Sequence, residues 1–483
     1  MTDLQDAPRT GTTPTTPVVH RTAILAIILV TYFMIILDNS IIFTGLPSIQ
    51  ATMDFSPTGL TWVQDAYTLV FGGLLLLGAR AGDIVGRRRL FIIGLVIFSV
   101  ASLLVGAAPS GAVMVAARAL QGVGAAILAP LSLSLLTATF SEGRERSRAV
   151  ALYAAVAGIG ASAGMVVGGV LADLISWRAG FFLNLPIGAV MIVLAVRYLI
   201  ELPRVRGRFD VVGAVTATLG VGALIFGIIS SSEVGWASPR TLISLAVGVL
   251  LLVALVMNER RVEQPIMPLR LFASRARSGA YAIRFLYLGA MMGFFFFTTQ
   301  FLQEVFGWSP LQAGLGFLPM TIVNFAVALS VPRLLDRLHS VVVLGAGVAV
   351  TFAGMLWLSR VDQGDSFVTG VALPMVLIGL GQGLAFAPLT SYALVGITGA
   401  DAGAASGLLN TFHQLGSSLG LAVLVAVGTS AAAGGTDPVG VLSQRVEVAL
   451  TGSSVMIALA FLVVVLVVLP GDLAQKRAGS SRA

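Results

Sequence analysis

The chain has 483 residues, 57% of them hydrophobic and only 11% charged, against about 25% charged for an ordinary soluble domain. That balance excludes a soluble globule, and the absence of cysteine excludes a disulfide framework, a thiolate zinc site, a cysteine nucleophile and an iron–sulfur cluster. The net charge of +7 comes from basic residues, all but one of them arginine, scattered between apolar blocks rather than gathered in one domain, which argues against nucleic acid as a partner.

In chain order, residues 1–22 are polar and rich in Thr and Pro, without the apolar core or small-residue cleavage site of a secretory signal, and read as a disordered cytoplasmic tail. Apolar blocks then recur at 23–45, 60–79, 90–107, 111–136, 149–171, 180–200, 211–229 and 241–258, followed by 280–303, 311–331, 341–358, 366–387, 405–429 and 448–469. A pass through a hydrocarbon core of about 30 Å needs about 20 apolar residues, and a lone span must satisfy its backbone internally, so each block predicts a transmembrane helix. Residues 471–483 form a second tail.

Orientation follows from alternate connections. One set, with both termini, carries 23 basic residues and the other only Arg178, Arg240, Arg360 and Arg445. Short cytoplasmic loops concentrate Lys and Arg, so both termini are expected in the cytoplasm of a cell whose inner (plasma) membrane holds the chain. Trp62, Trp177, Trp236, Trp308 and Trp357 all fall at the opposite ends of the predicted spans, as interface-seeking tryptophans do.

The connection holding Arg80, Gly82 and Asp83 has a counterpart holding Arg333, Asp336 and Arg337, with the same Arg-x-x-Asp spacing. Each follows the second span of a six-span group once spans seven and eight are set aside. The expected fold is therefore all-α and integral to the membrane: an N-terminal six-helix bundle (23–205), an inserted helix pair with basic linkers (206–274) and a C-terminal six-helix bundle (275–470). Duplicated bundles with a site between them are a transporter architecture.

Ionisable groups inside the hydrocarbon are costly and are functional candidates by default. Asp38 in span one, Asp65 in span two and Arg118 in span four fall in one slab about 7–11 Å below the outer surface. An Asp38–Arg118 pair at one depth either pins helices or acts as a proton switch. Asp65, beside Trp62 and Gln64, is either interfacial or part of the same device. His413 has an ordinary pKa near neutrality, yet beside Asn410 and Gln414 it reads equally as a packing or cavity residue. Arg284, near the cytoplasmic end of its span, is expected to snorkel. Gly160, Gly164 and Gly168, with Gly169 beside them, make a small-residue face in span five, as glue or as a sliding surface.

These features resemble a known family. Leu37-Asp38-Asn39-Ser40 with Leu46-Pro47 in span one, the loop Ala79-Arg80-Ala81-Gly82-Asp83-Ile84-Val85-Gly86-Arg87-Arg88-Arg89, and Arg118-Ala119-Leu120-Gln121-Gly122 in span four are similar to motifs of the major facilitator superfamily, in its fourteen-span drug:proton antiporter branch. The glycines of span five match that branch's antiporter motif, with Met165 where the motif has Pro, and Trp177-Arg178 and Asn184-Leu185-Pro186 also resemble it. The resemblance covers about 22–470 and implies proton coupling at Arg118 and a conformational gate at Asp83, Gly86, Arg87 and Arg88, to which the repeat adds Arg333 and Asp336.

The resulting expectation is a monomeric exporter that moves small lipophilic, cationic drugs or antibiotics outward in exchange for protons. It carries no ATP-binding loop and needs no cofactor or metal, its energy coming from the proton gradient. Candidate cavity residues are Tyr67, Gln121, Met292, Phe296, Asn324, Gln382, Asn410, His413 and Gln414, and some members of the Phe294–Phe297 run are expected to face lipid. A proton-coupled transporter of one metabolite is the alternative; a membrane sensor or membrane-embedded enzyme fits less well.

Overall fold

The computed structural model describes residues 20–140, 144–201, 210–263, 265–395, 397, 402–431 and 437–470. Nearly all of the first expected tail and all of the second lie outside them. The helices are α1 (Arg21–Met53), α2 (Thr61–Val85), α3 (Arg87–Gly106), α4 (Gly111–Thr139), α5 (Arg144–Leu174), α6 (Trp177–Phe182), α7 (Asn184–Tyr198), α8 (Val211–Val234) and α9 (Pro239–Glu259). They continue with α10 (Arg275–Gln300), α11 (Pro310–Gly316), α12 (Leu318–Leu335), α13 (Ser340–Leu358), α14 (Leu373–Ala393), α15 (Ala402–Ala431) and α16 (Pro438–Val463). Among the described residues 13 segments are long and apolar enough to cross a membrane, and α5, with 31 residues, takes the place of the pass expected at 149–171.

Two passes are broken where the sequence supplies a reason. α6 gives way to α7 at Leu183, two residues before the Leu185-Pro186 step, and α11 gives way to α12 at Phe317, just before Leu318-Pro319. α1 outruns its expected end: it passes Pro47 and stops at Asp54, whose φ of 53° is left-handed. The helix persists past its expected end because that end is packed, with the indole N–H of Trp177 donating to Thr52 Oγ1 at 3.0 Å.

The first core joins α1–α5 and α7 through residues such as Ile27, Ile28, Phe91, Phe98 and Leu128, all fully buried. A second core gathers around α10, where Tyr287, Phe294, Phe296 and Phe297 are enclosed by neighbouring helices. The Phe run thus does not face lipid as expected: Phe294, Phe296 and Phe297 are buried, and Phe295 packs on Phe43 and Phe317. α10 is the axis of its bundle, so every side of it meets protein. The lipid-like surfaces are elsewhere, for example Ile243 and Leu250 of α9, which are 63% and 66% exposed.

The seam between the cores runs along α2 and α15, where Gly72 backs on Gln414 and Gly407 on Leu76. The inserted pair leans on this seam: Val221, Ile225 and Ile229 of α8 pack with Leu69 of α2 and Ala422 of α15. On the opposite flank α5 meets α11 at the tryptophan-bearing end. A Cβ on Gly169 would stand 2.7 Å from the Pro310 carbonyl oxygen, and one on Gly314 would stand 2.5 Å from that of Met165. Ser309 Oγ donates to Asp173 at 2.9 Å, and Gln303 Nε2 donates to the Thr44 carbonyl at 2.9 Å. These contacts close the tryptophan-bearing end between the bundles.

Candidate functional site

Asp38 and Arg118 are brought together. Arg118 Nη1 donates to Asp38 Oδ2 at 2.8 Å, and both side chains are fully enclosed. The pair sits in a polar knot drawn from six elements. Arg118 Nε donates to the Val63 carbonyl of α2 at 2.9 Å, and Arg118 Nη1 also donates to Gln121 Oε1 at 2.7 Å. Gln121 Nε2 donates to Asp38 Oδ1 at 2.8 Å and to Ser102 Oγ of α3 at 2.7 Å. Asn184 Nδ2, from α7, donates to the same Asp38 oxygen at 2.7 Å. The Tyr67 ring lies 4.3 Å from the guanidinium carbon and Phe181 of α6 lies 5.8 Å from it.

Helical spacing assembles this knot, since Arg118 and Gln121 are three apart and share a face of α4. The Asp38 carboxylate accepts from three side chains and is fixed in place by them, and neither Asp38 nor Arg118 can be removed without stranding the other's buried charge. Ser102 and Asn184 were not foreseen. Both are ordinary polar residues within apolar blocks, and the one available signal was Asn184 heading the Asn184-Leu185-Pro186 stretch that resembles the family.

Asp65 is fully buried rather than interfacial, and neither of its carboxylate oxygens has a hydrogen-bond partner among the described residues. Beside it Gln64 Nε2 donates to Asn39 at 2.7 Å, and Thr68 shares a short hydroxyl contact with Ser418 of α15. Tyr67 and Gln121, expected to line a cavity, are closed inside the knot instead. Neither Asp38 nor Asp65 is therefore open as a counter-charge for the cationic drug that was expected.

The gate candidates separate. Gly86 breaks α2 from α3 with φ of 117°, and the Glu201 carboxylate lies where its Cβ would be, with oxygens at 2.8 Å and 3.0 Å. Glu201 caps α3 by accepting from the backbone N–H of Arg88 at 3.1 Å and of Arg89 at 3.2 Å. Arg88 also donates to the Val196 carbonyl of α7. Arg88 thus braces α3 against the end of its own bundle rather than latching it to the other. Arg333 and Asp336 are exposed at the end of α12. Arg87 is half-buried, while the side chain of Asp83 lies outside the described residues.

The glycine face packs on α1: Gly160 on Ile36, Gly164 on Ser40 and Leu37, Gly168 on Thr44 and Ile41. Gly169 points the other way, to α11 of the second bundle. Of the remaining cavity candidates, Met292 and Phe296 are buried in the α10 core, Asn324, Gln382, His413 and Gln414 are half-buried, and Asn410 is exposed. Arg284 does not snorkel. It is 8% exposed, its guanidinium carbon lies 4.3 Å from the centre of the Phe386 ring, and its Nε and Nη1 have no partner among the described residues. The reason is that α10 begins at Arg275, so Arg284 stands more than two turns in, on a helix surrounded by others.

Residues 28–421 match the model of the Major Facilitator Superfamily. The chain belongs to the Major Facilitator Superfamily. It is accordingly a membrane transporter and not an enzyme. It is 40% identical over 439 residues to the cephamycin export protein of Amycolatopsis lactamdurans, covering 90% of each chain. It is 37% identical over 449 residues to the puromycin resistance protein of Streptomyces alboniger, covering 90% of this chain and 88% of that one. Its fold is similar to the crystal structure of a POT family transporter in complex with a thioalcohol-conjugated peptide, with a TM-score of 0.66 at 12% identity over 91% of this chain and 94% of that one.

Proposed function

We propose that this superfamily member exports antibiotic- or drug-like molecules from the cytoplasm in exchange for protons, working as a monomer in the plasma membrane with both termini inside. The buried Asp38–Arg118 knot carries the reading: it is the one place among the described residues where an acid and a base pair inside the membrane with no exposure to dilute the effect. The names of the two relatives support the direction and the class of cargo.

In this scheme a proton reaching Asp38 removes the charge that holds Arg118, and the donors Gln121 and Asn184 lose an ionised acceptor. The six helices that meet there then relax to a second arrangement, and the bundles at 23–205 and 275–470 rock about the α2–α15 seam. Asp65 serves as a second proton site, and Asp83, Gly86 and Arg87 as part of the gate. The closed α5–α11 contact represents the inward-facing half of the cycle, and opening it releases cargo outside. Ligand or proton energy can shift such an equilibrium only by its differential affinity for the two arrangements.

The experiment is efflux of a cephamycin, the cargo named for one relative, from proteoliposomes under an imposed proton gradient. Asp38→Asn is expected to abolish gradient-driven efflux while retaining substrate exchange at equal pH on both sides. Undiminished gradient-driven efflux by that variant would overturn the coupling assignment.

A further inference from the structure

Five side chains from both bundles come to one level. Arg284 lies nine residues into α10, Tyr32 eleven into α1, Tyr153 nine into α5 and His413 eleven into α15, while Phe386 lies seven before the end of α14. At about 1.5 Å per residue, all stand roughly 10–17 Å from the arginine-rich end, near the middle of a hydrocarbon layer of about 30 Å. The rings of Tyr32 and Tyr153 stack at 3.9 Å and 11°. Arg284 is close enough to Tyr32, Tyr287 and His413 to interact with them electrostatically, and none of these is a carboxylate. The Tyr287 hydroxyl is already engaged with Thr351 at 2.8 Å.

We propose that cargo is held here and that Arg284 selects an organic anion, an aromatic molecule bearing a carboxylate or an equally acidic oxygen group. This rests on the export reading above and replaces the cationic cargo expected from the sequence. A buried guanidinium without a partner is a large desolvation cost, and it is sustained where the partner arrives from outside. The free Nε and Nη1 donors suit carboxylate oxygens, which guanidinium binds through short, charge-assisted hydrogen bonds. The Tyr32–Tyr153 stack and Phe386 offer flat walls for an aromatic body. One turn before Phe386, Gln382 Oε1 is buried without a partner and can accept from a cargo N–H. A cationic cargo would need a carboxylate at this level; Asp38 is engaged by Arg118, Gln121 and Asn184, and Asp65 stands only four residues inside the far end of α2, away from the level of Arg284.

The test is a binding assay on the purified full chain, which needs no proton gradient and so stands apart from the efflux measurement on Asp38→Asn. Thermal protection is titrated with 2-naphthoate, with 2-naphthamide, with 2-naphthylmethylammonium and with inorganic phosphate. Naphthoate is expected to half-saturate at about tenfold lower concentration than the amide or the ammonium, as one charge-assisted contact implies. Arg284→Gln should erase that preference and Arg284→Lys should retain most of it. His413→Glu, which sets a carboxylate in the field of Arg284 and offsets its charge, should erase the preference for naphthoate as well, and this variant decides the matter if Arg284→Gln does not fold. Absence of naphthoate binding, equal binding of the ammonium, an unchanged preference in Arg284→Gln or His413→Glu, or phosphate protecting as well as naphthoate would each overturn the assignment.

Discussion

The two bundles each bury one arginine beneath an aromatic ring at the same 4.3 Å, Arg118 under Tyr67 and Arg284 under Phe386, and there the likeness ends. Arg118 uses Nε and Nη1 on a carbonyl, a carboxylate and an amide of its own bundle. Arg284 leaves the same two atoms without a partner among the described residues. A closed network fixes its members and can be reset only by changing a charge within it, whereas an open donor pair waits for a molecule that comes and goes. In the proposed scheme this difference divides the labour, with the energy-transducing charges in the first bundle and the cargo-reading charge in the second.

The largest effect expected from breaking this contrast is on Asp38. Asp38→Ala strands Arg118 and two amide donors in a sealed interior and should cost about 3–5 kcal/mol of stability, read as a steep fall in folded yield and melting temperature in detergent. Next comes the rocking motion, which should touch one arginine and not the other. Gly314→Val forces side-chain atoms against the Met165 carbonyl, an overpacking worth about 1–3 kcal/mol against the closed α5–α11 contact. Because the chain has no cysteine, a D173C/S309C pair reports that contact directly, and its crosslinking yield should fall about tenfold or more in the valine variant. The smallest effect belongs to Arg284→Gln, which removes a charge that no carboxylate pairs among the described residues. Its melting temperature should match or exceed that of the parent, with a change within about 1 kcal/mol.

Much of this was legible in the sequence because lipid makes the rules strict. Apolar blocks must be helices, and an Asp and an Arg at one depth have few ways to avoid each other. The glycines at 160, 164 and 168 declared a close helix contact through their four-residue spacing, and that face indeed packs on α1. What failed to show were properties of position within the assembly. The Phe294–Phe297 run and Arg284 were read against lipid and a nearby end, since nothing local reveals that α10 is the axis of its bundle. Asn184 and Glu201 act through residues 146 and 113 positions away in sequence, and Ser102 through Gln121 on the next helix, and a lone polar residue in an apolar block gives no hint of which partner it will find.

The placement of α8 also breaks the symmetry of the two bundles. By lying across the α2–α15 seam it seals that flank against the bilayer, while among the described residues no added helix overlies the α5–α12 flank, where Ile322, Phe325 and Leu329 stand exposed. The extra hairpin thus makes the two flanks of an otherwise two-fold pair of bundles unlike, one clad by added helices and the other presenting its own apolar side chains outward.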